Sequence, residues 1–227
     1  MPSQQNARIA AAVAVAAAAL IVIQAALAAT PDPRKQPLDQ PNAADNARAR
    51  ASIVQLSDLV RGFRVQRSKA STPVIPHCAD FPGDRSDITI TGAASSSFIH
   101  ASNTIASTAL FFKTWADSDR YWAKTVRPRY ATCLAAVFRY RGVKPRIVRA
   151  KQIKIGATGA DAARAYRMIA QVALPGRKPF YWTETAAFVK VGRGIAMIRV
   201  IYLNAICECH TGIGIDLTRR LRAAQQG

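Results

Sequence analysis

Hydrophobic positions come in four patterns along this chain. From Ile9 to Ala29 the only polar residue is Gln24, and the run closes on Ala26-Leu27-Ala28. Small residues two apart after an apolar core are what signal peptidase accepts, so cleavage after Ala28 is expected. Uncleaved, the same run is long enough to anchor the chain in a bilayer. Either way the rest of the chain would lie outside the cytoplasm. A second pattern, TPDPRKQPLDQPNAADNARAR, holds few large apolar residues, so residues 29–51 read as a disordered tether. Residues 52–227 then form one domain.

Inside the domain the periods alternate. Leu59-Val60-Arg61-Gly62-Phe63 reads as a turn into a strand over Phe63 to Ser68. Ser71 to Asp87, with Pro73, Pro76, Pro82 and Gly83, reads as loop. Ile88 to Ala93 alternates and predicts a half-buried strand, and Asn103 to Phe112 predicts the next. Asp117-Ser118-Asp119 suits a helix start. After it Trp122, Val126, Tyr130, Cys133 and Val137 recur every three or four residues, with Pro128 imposing a kink or a division into two helices. The second half predicts a meander. Its strands are Arg146 to Ile155, Arg164 to Leu174, Phe180 to Val191 and Ile195 to Leu203. Turns fall at Pro175-Gly176-Arg177-Lys178 and Gly192-Arg193-Gly194. A last helix spans about Gly214 to Ala224. The fold class is α+β: an antiparallel sheet with one long kinked helix and a C-terminal helix packed on it, preceded by the signal helix.

Composition changes this picture in one respect. The 227 residues carry 32 Lys+Arg against 13 Asp+Glu, a formal charge of +19, while half are hydrophobic. Such a surface gathers anions, whether lipid headgroups or acidic envelope polymers. Arg120, Lys124, Arg127 and Arg129 cluster around the kinked helix and form the candidate anion site. Charge alone would also admit nucleic acid, but export argues against it and no recognition motif appears. A solvated basic face is the plain alternative.

Four cysteines in an exported chain favour disulfides. Counting leaves three pairings. Cys78 with Cys133 is the preferred one, because it would pin the long loop to the helix. Cys207-Glu208-Cys209-His210 admits a second or mixed disulfide, a strained redox pair, or metal ligation lacking a fourth ligand. There is no nucleophile elbow, no Walker loop, no Rossmann glycine set and no H-E-x-x-H. Ser95, Ser96 and Ser97 before His100 lack a triad pattern. Asp80, Asp84 and Asp87 read as turn formers, and Glu184 as an exposed cross-strand partner of a basic residue. No cofactor and no metal site are expected.

The order of these elements carries a resemblance. Leu59-Val60-Arg61-Gly62-Phe63, the Pro-flanked Cys78 and Ser86-Asp87-Ile88-Thr89-Ile90-Thr91-Gly92 come first. The helix with Trp122 and Cys133-Leu134, the meander and the closing helix follow. This resembles small exported proteins of actinobacterial envelopes, PsbP-like lipoproteins and the extracellular sensor domains of mycobacterial receptor kinases, over roughly Leu59 to Ala224. The chain departs from them in having no lipid-attachment Cys, no kinase domain and an added Cys207-Glu208-Cys209 element. The resemblance implies a non-enzymatic ligand-binding or sensing module, with Cys78–Cys133 as a family disulfide. An apolar ligand would meet Trp122, Tyr130, Phe180 and Trp182, which serve equally as plain core. The other readings are an envelope enzyme, chiefly a thiol–disulfide exchanger using Cys207 and Cys209, and a basic module adhering to anionic lipid or polymer.

Overall fold

The computed structural model describes residues 36–66, 84–138, 143–204 and 210–226. The expected signal segment, Cys78, Cys207 and Cys209 lie outside them. Among the described residues no helix is long and apolar enough to cross a membrane.

Eight strands form one sheet. They are β1 (Leu38–Asp39), β2 (Arg64–Val65), β3 (Thr89–His100), β4 (Asn103–Phe112), β5 (Arg146–Ile153), β6 (Ala162–Val172), β7 (Phe180–Val191) and β8 (Gly194–Leu203). The order is β1-β3-β4-β8-β7-β6-β5, with β2 also on β3. Every pairing is antiparallel except β1 with β3. The four helices of the described residues are α1 (Ala43–Ser52), α2 (Trp115–Thr125), α3 (Tyr130–Val137) and α4 (His210–Gln226). The class is α+β, as the alternation of periods predicts.

Alternate residues of each strand face opposite layers. On one face Ala49 and Ile53 from α1, with Leu217 and Leu221 from α4, pack on Ala109, Phe111, Ala187, Val189, Ile198 and Val200. On the other, Tyr130, Leu134 and Phe138 pack on Tyr166, Met168, Trp182, Phe188 and Met197. Tyr121 of α2 closes the far end of that face over Ile90, Leu110, Phe112 and Ile195.

Four expectations need correction. Residues 29–51 are not wholly a tether: β1 and α1 lie within them, and Ala49 is fully buried. The pattern is hidden because α1 is buried through alanine and an aspartate rather than through large apolar side chains. Secondly, the strand expected from Phe63 is only Arg64–Val65 among the described residues. Thirdly, β3 runs on through Ser95-Ser96-Ser97 to His100. Serines hold an edge here: the Ser96 hydroxyl donates to the Val54 carbonyl and Ser97 to Gln66 Oε1. Fourthly, the first helix cap is Thr114, whose hydroxyl accepts from the Asp117 amide while Asp117 reaches back to the Thr114 amide. Pro128 divides the long helix into α2 and α3, one of the two outcomes its position predicts.

The imperfect alternation of β5 also has a cause. A register shift between Ile147 and Arg149 leaves Val148 exposed. Ile147 then packs toward α3 and Ile153 toward α4.

Candidate ligand site on the α2/α3 face

The α2/α3 face is closed over the middle of β6 and β7, is exposed or half-open at Gln152, Arg164, Phe180 and Leu203, and opens again on β3, β4 and β8. Direct pairing puts Ser97 opposite Ala106, Ala106 opposite Arg199, and Arg199 opposite Ala186. The next row sets Ser95, Thr108 and Met197 side by side. Ser95, Ser97, Ala106, Thr108 and Arg199 are all half-buried. Small side chains beside a long one leave a hollow, rimmed by Ile99, Met197 and Ile201, which keep 6–8% of their surface open. Shielding comes from α2 at one end and from α3 over β5 and β6.

Arg199 stands at the inner end of this hollow. Its Nε and Nη2 both donate to Glu184 Oε1, at 2.9 Å each. The Glu184 side chain is 1% exposed, whereas Arg199 keeps 27% of its side chain open. The Glu184 carboxylate outweighs the effect of burial and holds the guanidinium more firmly protonated than usual. Tyr130 lies above the pair and feels both charges; burial pushes its hydroxyl well above its ordinary value, so it stays protonated. Tyr166, bonded through its hydroxyl to the Arg127 carbonyl at 2.6 Å, is pushed up to about 12, again by burial.

The aromatic residues expected to line a cleft divide in two. Tyr130 and Trp182 are 4% and 1% exposed and sit in the core. Tyr130 rings lie 5.0 Å from Tyr166 and 5.2 Å from Phe188, and Trp182 lies 5.4 Å from Phe138. Trp122 and Phe180 are partly buried against the same cluster. The sequence does not mark this site, because Arg199 stands within an apolar strand and Glu184 reads as an exposed partner. Glu184 does partner a cross-strand arginine, but from a buried position.

Two of the four cations of the expected anion cluster are paired with carboxylates. Lys124 Nζ lies 2.6 Å from Asp87, and Arg120 pairs with both Asp87 and Asp117. Arg127 donates to the Ala123 carbonyl, and Arg129 is the residue preceding α3. Asp84 accepts from the Ser86 amide and hydroxyl, a turn contact. Cys133 is buried and disulfide-bonded, with its partner outside the described residues. His100 packs on Phe63 at 5.2 Å and meets no catalytic constellation among the described residues. Among the described residues no group of His, Cys, Asp and Glu could hold a metal ion.

A second concavity, of about 470 Å³, is lined by Gln40, Asn42, Asp45, Arg48, Thr91, Lys113 and Arg193. Asp45 is 3% exposed and accepts from Thr91 Oγ1 at 2.6 Å, Arg48 Nη1 at 2.9 Å, Arg193 Nη2 at 3.1 Å and Asn42 Nδ2 at 3.1 Å. Asn42, Arg48, Thr91 and Arg193 thus converge on Asp45. The cluster therefore acts as a clamp joining α1 to the β7–β8 turn.

No family model matches the chain, and no curated protein matches it. Solved structures do. The extracellular domain of PknH from Mycobacterium tuberculosis is 9% identical, with a TM-score of 0.52, over 81% of this chain and 98% of that one. LpqN, involved in cell envelope biogenesis of Mycobacterium tuberculosis, is 10% identical over 74% and 75%, with a TM-score of 0.29. The first likeness establishes a shared fold, at the level the element order implied; the second adds nothing to it.

Proposed function

We propose that this chain is an exported, non-enzymatic domain of the cell envelope that binds a small ligand in the Arg199 hollow. The observation that supports this is the run of five neighbouring half-open positions, Ser95, Ser97, Ala106, Thr108 and Arg199, on a face that α2 and α3 cover only in part. A sheet covered only for stability would fill such a gap with large apolar side chains. Here it is floored by Ser95, Ser97, Ala106 and Thr108 and ends in a buried ion pair. Export is supported by the residue 9–29 run and by the fold shared with an extracellular domain. The same reading takes Cys78 as the disulfide partner of Cys133.

The test is native mass spectrometry of the full chain recovered from an actinobacterial host. The reading expects a small molecule of fixed mass on the wild type and its loss from Ala106→Leu, which fills the hollow. Bare protein in both cases would count against it, as would recovery of the chain from the cytosol with free thiols.

A further inference from the structure

Resting on that reading of the hollow, we infer that its ligand is an amphiphile headed by an oxyanion, a carboxylate or a phosphate, gripped by the unused edge of Arg199. A guanidinium presents five N–H groups in two forks. Glu184 occupies the Nε/Nη2 fork through a single oxygen. No described residue accepts from Nη1, so among the described residues the Nη1/Nη2 edge is unpaired, on a side chain that keeps 27% of its surface open. That fork matches two oxygens of a planar carboxylate or a phosphate, in the bidentate geometry that makes Arg the favoured residue for such groups.

Two further observations fix the polarity. Glu184 is sealed behind Arg199 at 1% exposure, so a ligand entering from the half-open side meets donors first. The formal charge of +19 adds a long-range field that concentrates anions. Beyond the head group, the Ile99, Met197 and Ile201 rim suits an acyl tail. Glu184 is thus a positioning residue: it aims the fork and touches no ligand.

Calorimetric titration of the full chain with dodecanoate, dodecyl phosphate and dodecanol, each below its micelle concentration, tests this. One or both oxyanions are expected to bind at one site, with dodecanol roughly tenfold weaker or more. The better of the two oxyanions identifies the head group. Arg199→Lys keeps the charge but loses the fork, and should lose roughly tenfold in oxyanion affinity with dodecanol unchanged. Ala106→Leu should abolish all binding at an unchanged melting temperature, which covers the case in which Arg199→Lys fails to fold. Equal affinity for dodecanol and the oxyanions, abolished by Ala106→Leu, would overturn the oxyanion inference and leave ligand binding standing. Absence of binding by every probe, or binding indifferent to Ala106→Leu, would overturn both.

Discussion

Two carboxylates carry unusual weight, and they do so differently. Asp45 is buried, which raises its affinity for a proton, but hydrogen bonds from Thr91, Arg193, Asn42 and Arg48 outweigh this and hold it far below the carboxylate range. A depressed folded value means that stability is present above the unfolded value, near 3.8, and is lost as pH falls from there toward the folded one. Acid unfolding of the wild type should therefore show a slope below about pH 4 that Asp45→Asn flattens, followed by circular dichroism. Glu184 has one basic partner, and removing it strands Arg199 in the interior. Glu184→Ala should cost about 3 kcal/mol in denaturant unfolding, and the double replacement Glu184→Gln/Arg199→Gln should cost less than the two singles together. Additive losses would mean that the pair is not coupled. Part of this pair was legible in the sequence. Phe180 to Val191 and Ile195 to Leu203 flank a tight turn, and each holds one lone charge on the face toward α3 besides Lys190 near the turn. Counting outward from Gly192-Arg193 places Arg199 two residues from Ile201, the direct partner of Glu184, hence on the same face. The burial of the pair was not legible, because α3 reaches it from a different part of the chain.

At the scale of elements, period and turn chemistry were reliable guides where strands are long. Asn103–Phe112 and Phe180–Val191 fall where their β-branched and aromatic runs begin and end. They failed where polar residues do structural work. Gly92 shows why: a side chain there would meet the Asp45 backbone at 2.3 Å, so α1 crosses the start of β3 in near contact. Packing that close is made with glycine, alanine and a buried aspartate, and leaves no apolar stripe to read. The same α1 backs the edge strand, with Asn46 Oδ1 accepting from the Ala93 amide. A chain starting at residue 36 should therefore keep the wild-type melting temperature, whereas one starting at residue 53 should lose cooperative unfolding, as a thermal melt would show. Equal melts would return residues 36–52 to the status of a tether.

For the whole molecule, surface charge and site location part company. The basic residues most conspicuous in sequence, Arg120 and Lys124, are spent on Asp87 and Asp117. Arg199 keeps an open edge although it stands half-buried within β8 and is paired with Glu184. Composition reports how many cations a chain has; only the pairing of strands and helices decides which of them retain unused hydrogen-bonding capacity. The most direct measurement is a crystal structure of the full chain grown with dodecanoate. The account predicts the carboxylate on the Nη1/Nη2 edge of Arg199, at about 2.8 Å, with the tail along Met197 and Ile201. Dodecanoate bound only over Arg120 and Lys124, or a hollow filled by the chain's own side chains with no ligand present, would contradict it.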